Sequence, residues 1–467
     1  MKNRIHLLMA IVALLLCLSG CQTRSATATP SQPPTAGTVE EERATAIPPA
    51  PTTVPASVVP RLGAELELRG DSDTIIGLTW DAGVRWIRHP IRWDQIEPAR
   101  TDPPTYRLRN LDRTLADLTE QGFQVIMLIR DVPAWAAEDP CAPFDAEALA
   151  AWGDLLDALA QQYADDPYNI SHWEIFNEPD NRQSTFSSQG GCMGDHPEAY
   201  AELLKVASQR LKDADPDATV IFGGVALEKL DGDPFNLTFL QETLAAGAGP
   251  YFDWMSLHYY PAFEGNWGKF GRGIEGKAAY VRGLMEKAGV DKPVVCTEVG
   301  QPSAGPPAEG YSETLAAHEV FRNLTRAYAA DMPVVIWHRL QDRAADTRLY
   351  GLINADGEPK AAYHAYQILA NALNNATFIA PLSKAETGSS RLEAYHFEAT
   401  DGTDLLVAWR TNSGKALTLP VEAGSVRVLD AEGNERSIQD GGADDGDQTA
   451  GVIGVPVSNV PVVILLQ

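Results

Sequence analysis

The chain is short of cysteine, of positive charge and, beyond its first residues, of long hydrophobic runs. Each shortage excludes a class of function. Five cysteines occur in 467 residues, and no Cys/His spacing resembles a zinc site, so no metal is called for. A doubly wound nucleotide-binding sheet would carry a Gly-rich phosphate turn after an early strand. None is visible, and no cofactor is called for. Lys and Arg number 37 against 63 Asp and Glu, a formal net charge of −26. That field repels phosphate backbones and anionic lipid headgroups, which argues against a nucleic-acid partner. After the N-terminal run, no stretch is long and apolar enough to span a bilayer.

What is present begins with an address. Lys2 and Arg4 precede an apolar run from Ile5 to Leu18, too short for a comfortable bilayer span. It closes with Leu18-Ser19-Gly20-Cys21, which resembles the lipobox of bacterial lipoproteins. The resemblance implies a signal peptide over residues 1–20, cleavage before Cys21 and acylation of that cysteine. An ordinary secretory signal with a chance cysteine is the alternative. Gln22 follows, so the aspartate that often retains lipoproteins at the inner membrane is missing. Residues 21–60 form a Pro/Thr/Ala/Ser tract with too few large apolar side chains to offset the entropy of ordering. It reads as a disordered tether, able to reach roughly 100 Å at up to about 3 Å per residue. The expectation is export, with a lipid anchor on the outer face of a bacterial membrane, either at the cell surface or facing the periplasm.

From residue 61 to about 374, short β-rich runs alternate with amphipathic stretches. The runs are 62–68, 84–88, 123–130, 171–178, 219–224, 254–258, 294–298 and 334–339. Between them, Leu108, Leu111, Leu115 and Leu118 recur at helical spacing, with Gly122 as a stop signal. Such βα units in series predict an α/β fold, a closed (β/α)8 TIM barrel, with an open doubly wound sheet as the alternative. Residues 375–467 change character: strand-like runs separated by turn signals such as Asp401-Gly402 predict an antiparallel β-domain, a sandwich packed on the barrel or, as the alternative, a small carbohydrate-binding unit. Cys141 and Cys192 fall in loops after consecutive predicted strands, neighbours on one barrel face. A disulfide and two free thiols both remain open. Cys296 reads as a small core residue.

Groups at the carboxyl ends of barrel strands face one mouth. The candidates there are Arg88, Asn177, Glu178, His258, Tyr260, Glu298 and Trp337. Strand alternation puts Glu174, Phe176 and Glu178 on one face, and likewise Val294, Cys296 and Glu298, and Ser256, His258 and Tyr260. Glu174 is a rival acid, but at strand rise it lies about 13 Å deeper than Glu178. Arg88 has a second reading as a barrel ion-pair partner. Trp267, with Phe270 in the Gly-rich loop after the sixth strand, either stacks on sugars at the mouth or packs under its loop.

Asn177-Glu178-Pro179 on the fourth strand and Glu298 on the seventh resemble the glycoside hydrolases of clan A, the retaining (β/α)8 enzymes. His258-x-Tyr260, Trp337 and the segment from Gly83 to Arg88 with Trp93 and Glu97-Pro98 resemble the same clan. The wording WEIFNEPDN from Trp173 looks most like family 39, with family 5 next. The resemblance implies Glu178 as acid/base, Glu298 as nucleophile, Asn177 on the sugar 2-hydroxyl and Trp337 under the sugar ring. It also implies a β-linked oligo- or polysaccharide as substrate. Two alternatives share these residues: a glycan-binding barrel that no longer catalyses, and a transglycosylase. The first strand, with Glu65 and Glu67, offers no matching motif.

Overall fold

The computed structural model describes residues 59–68, 72–183 and 192–467. Cys21 and the tether up to residue 58 lie outside the described residues. Eight parallel strands form a closed barrel: β1 (Leu62–Glu65), β2 (Trp86–Arg92), β3 (Gln124–Arg130), β4 (His172–Ile175), β5 (Thr219–Val225), β6 (Trp254–Tyr259), β7 (Val294–Val299) and β8 (Val335–Trp337). β8 pairs back onto β1, with Gly63 opposite Ile336. The predicted barrel is therefore the observed fold, and the open sheet is excluded.

Alternate side chains of each strand enter two environments. Trp86, Ile126, Ile221, Val295, Val334 and Ile336 pack together as the barrel floor. Ile87, Met127, Trp173, Val220, Met255 and Cys296 belong to the larger core between strands and helices. Gly63 has to be glycine, because a Cβ there would stand 2.6 Å from the Trp86 carbonyl oxygen. The helices follow their sequence patterns. In Arg109–Glu120, Leu115 and Leu118 are fully buried, and Gly122 leaves the helix at φ 97°, a conformation that costs glycine little. A disulfide joins Cys141 and Cys192, with Cα atoms 4.7 Å apart, and ties the loop after β3 to the loop after β4. Cys296 is free and buried.

Beyond the barrel lie β9 (Ala376–Pro381), β10 (Leu392–Ala399), β11 (Asp404–Arg410), β12 (Leu417–Glu422), β13 (Ser425–Asp430), β14 (Glu435–Gln439), β15 (Val452–Val457) and β16 (Val462–Leu466). Six form one antiparallel sheet in the order β14-β13-β16-β11-β10-β9, and β12 pairs with β15. Its central strands β10 and β11 are buried on both faces. Tyr395, Phe397, Leu405, Val407 and Trp409 join the barrel core, whereas Ala394, Leu406 and Ala408 meet Leu419, Val421, Ile453 and Val455. Arg326, on the helix Glu313–Ala329, grips Glu393 of β10 through two bonds of 3.1 and 3.0 Å.

Candidate active site

The exit from β4 does not continue the strand's alternation. Phe176 and Glu178 both take left-handed backbone, φ 63° and 46°, at a cost of about 1–3 kcal/mol each that the surroundings must offset. As a result Phe176 turns outward, its ring 5.4 Å from Trp152. Asn177 and Glu178 both turn into the cleft, and the Glu178 N–H donates to the Gly224 carbonyl at 3.1 Å. The expectation that Phe176 shares a face with Glu178 is corrected: two left-handed residues break the period.

β7 breaks it by another route. Its pairing with β6 slips one residue, from Leu257 opposite Cys296 to His258 opposite Glu298. Thr297 and Glu298 then both point inward, while Cys296 stays in the helix-facing core. The shared face expected for Cys296 and Glu298 is likewise corrected. β6 keeps its alternation. Ser256 bonds Thr297 at 2.5 Å, His258 reaches Glu178, and the Tyr260 hydroxyl donates to Glu298 Oε1.

Arg88 ties these pieces together. Its guanidinium donates to Glu174 at 2.7 and 3.1 Å, to Glu65 at 2.8 Å, to Glu298 Oε2 at 3.1 Å and to Asn177 Oδ1 at 2.6 Å. Arginine only donates, so the last contact fixes the Asn177 amide with its oxygen toward Arg88. Glu174 is completely buried and also accepts from Thr297 and the Gly224 N–H, at 2.7 and 3.1 Å. The rival acid is thus committed to holding the arginine.

One carboxylate oxygen of Glu178, one of Glu298 and a ring nitrogen of His258 lie within 4.8 Å of one another. His258 Nδ1 stands 3.0 Å from Glu178 Oε1 and 3.9 Å from Glu298 Oε2. Gly224 makes room for that ring, since a Cβ would overlap His258 Nε2. Burial would raise the Glu298 carboxyl, but His338, His258 and Arg88 outweigh burial and the repulsion of Glu65, holding it down at about 2. The same carboxylates raise His258 against the effect of its burial. Glu65, Glu298 and His338 make a second trio within 4.8 Å. Both trios include Glu298, whose Oε2 already faces Arg88, so a metal cation there would meet a like charge.

A sequence model of the family described as cellulase (glycosyl hydrolase family 5) matches residues 63–339, from β1 to just past β8 and more than half of the chain. The chain belongs to glycosyl hydrolase family 5. No curated protein sequence matches it significantly. Among solved structures, it is similar to a family 39 glycoside hydrolase from Bacteroides cellulosilyticus WH2, with TM-score 0.69 and 21% identity over 88% of this chain and 81% of that one. A family 39 β-xylosidase from Caulobacter crescentus aligns with TM-score 0.60 and 18% identity over 89% and 98% of the two chains. A family 30 endoxylanase from Clostridium papyrosolvens C71 aligns with TM-score 0.60 and 14% identity over the same shares. At these identities the likeness is one of fold.

Trp337, expected at the mouth of this family 5 barrel, is elsewhere, and Trp267 takes the second of its two readings. Trp337 is 0% exposed in the helix-facing core, its indole N–H donating to the Tyr350 carbonyl at 3.1 Å. Alternation explains the correction, because Ile336 faces the floor and the next inward position is His338. Trp267 is 5% exposed and packs under its loop against Tyr280, ring centroids 5.3 Å apart, with Lys277 Nζ 4.9 Å from its ring. Neither ring is open to a sugar face.

The site also holds groups without a motif. Glu65 ends β1 and His338 follows β8; counting alternate residues from Gly63 and Ile336 would have found both. Beside Glu178 lies a buried trio. Lys277 donates to the Ala226 carbonyl and sits 3.7 Å from Glu228 Oε1, which has no hydrogen bond. Asp180 accepts from the N–H groups of Ala226 and Leu227 at 3.1 and 2.6 Å. Burial pushes Glu228 up to about 8 against the pull of Lys277, and Asp180 up to about 7. The scattered positions 180, 228 and 277 carry no spacing signal.

Proposed function

We propose that this glycoside hydrolase retains anomeric configuration and cleaves β-linked glycans, with Glu298 as nucleophile and Glu178 as acid/base. The observation that carries the reading is the separation of the two carboxylates. Retaining enzymes hold theirs about 5–5.5 Å apart, whereas inverting enzymes leave about 6.5–9.5 Å for a water molecule. Here an oxygen of each lies within 4.8 Å of the other. The division of labour follows from their partners. Glu298 is kept ionised by the cations around it, as a nucleophile must be. Glu178 faces His258 instead of Arg88, so no guanidinium holds it as an anion. The family's description as cellulase supports a β-linked glycan as substrate.

In the first step a Glu298 oxygen bonds the anomeric carbon while the glycosidic bond breaks and the Glu178 proton passes to the leaving oxygen. In the second, Glu178 takes a proton from water as the water oxygen bonds the anomeric carbon and the ester to Glu298 breaks. One water is consumed and both carboxyl groups return to their starting states. Asn177, its oxygen anchored on Arg88, offers its amide N–H groups to the sugar 2-hydroxyl.

A panel of aryl β-glycosides and β-glucans, with the nascent anomer followed by NMR, tests the reading. A β-configured first product is expected, and an α-configured one overturns it, as does tight binding without cleavage. Glu298→Gln should lower turnover by at least about 10³-fold with normal melting; an active, folded variant would remove Glu298 from the role. We further propose that the enzyme works outside the cytoplasm on a lipid carried by Cys21. The run from Ile5 to Leu18 and the motif closing on Cys21 support this. Metabolic labelling with a fatty acid should mark the protein and fail to mark Cys21→Ser; equal labelling of both would end the proposal.

A further inference from the structure

His338 continues the inward alternation of Val334 and Ile336. Its Nδ1 lies 3.6 Å from Glu65 Oε2 and 3.7 Å from Glu298 Oε2, and it is buried without a hydrogen bond. Arg88 Nη1 meets the same two oxygens at 2.8 and 3.1 Å. Two carboxylate oxygens and two nitrogen donors therefore alternate around one small ring. The carboxylates only accept, so the nitrogen facing them carries its proton. Separations of 3.6 and 3.7 Å exceed hydrogen-bond length, so the N–H acts on both oxygens at longer range.

The other groups around Glu298 have separate commitments. Arg88, from β2, is shared with Glu174, Glu65 and Asn177. His258, from β6, bonds Glu178, which follows β4, and Tyr260 reaches Oε1. Tyr350 packs edge-on against His338, ring centroids 5.2 Å apart. Arg339 adds its charge from the residue after His338, acting on Glu65. Among the described residues, the carboxylates facing His338 are Glu65 and Glu298.

We propose that His338, steadied by Glu65, is a positioning residue for Glu298, its ring N–H facing one carboxylate oxygen and leaving the other, with its Tyr260 contact, for the sugar. The proposal rests on Glu298 being the nucleophile. Among the opposing influences that hold Glu298 down against its burial, His338 is the largest, which supports the geometry. Glu65 has a second consequence. When Glu298 becomes an uncharged ester, Glu65 remains as the anion that keeps Arg88 and His338 paired.

The test is carbon-13 NMR of protein labelled at glutamate carboxyls, titrated toward acid. The resonance lost in Glu298→Gln identifies Glu298. In His338→Phe its midpoint should rise by at least about one pH unit, a tenfold change in proton affinity. His338→Asn, smaller and polar, should raise it less, and it decides the matter if the Phe variant does not fold. An unmoved midpoint in the folded His338 variants overturns the proposal. If Glu298→Gln is inactive while that midpoint stays fixed, only the role of His338 fails. If Glu298→Gln is active, the nucleophile assignment fails whatever the titration shows.

Discussion

Arg88 holds Glu174 through two nitrogens, at 2.7 and 3.1 Å, at a depth where both side chains are completely buried. The pair forms the base on which the cleft is set, since the same guanidinium reaches Asn177 and Glu298. Removing one member of a buried pair leaves an uncompensated charge, at a cost of about 3–5 kcal/mol. Arg88→Met should therefore lower stability by about that amount in denaturant unfolding. Adding Glu174→Gln should recover at least about 1 kcal/mol, because the most deeply buried of the stranded charges is gone. A single variant as stable as the parent would show that the pair does not hold the floor.

Glu178→Ala should discriminate between leaving groups. Without a proton donor, a glycoside with a poor leaving group should slow by about 10²–10⁴-fold, and one with an activated phenol much less. Azide, small enough for the vacated space, should partly restore turnover of the activated substrate. Equal slowing of both substrates without rescue would displace Glu178 from the acid/base role.

Glu228 predicts a pH dependence of stability. Its carboxyl is raised to about 8, so the folded state binds that proton more tightly than the unfolded chain. The contribution is full below the ordinary value of 4.5 and is lost as pH rises through about 8. Asp180, raised to about 7, adds the same sign over a narrower window. Glu228→Gln cannot titrate, so its fall in Tm between about pH 5 and about pH 8.5 should be smaller than the parent's by about 2 °C or more. Identical falls would mean that Glu228 is ionised throughout.

The barrel was legible because alternation between apolar strands and amphipathic helices is a property of many residues at once. The site was legible only where the strand period survived. On β6 it carries Ser256, His258 and Tyr260 inward together, as counting predicts. On β4 and β7 the inward positions come from left-handed backbone at Phe176 and Glu178 and from a one-residue slip before Glu298. Neither device has a signature in side-chain type: Phe and Glu are not residues that announce positive φ. Glu178 and Glu298 are marked by motif, and strand alternation does not place them. Trp337 shows the opposite failure, a motif-like aromatic whose parity takes it away from the mouth. The buried trio of Asp180, Glu228 and Lys277 depends on contacts between loops and a helix, which no local pattern encodes.

The centre of the large C-terminal sheet has no face of its own to give to water, since β10 and β11 lend one side to the barrel core and the other to β12 and β15. Catalytic barrel and sheet must consequently be inherited together. A lineage could not exchange the sheet for another module without also rewriting the helical surface around Arg326, which grips Glu393, and Tyr328, whose ring lies 5.8 Å from that of Phe397.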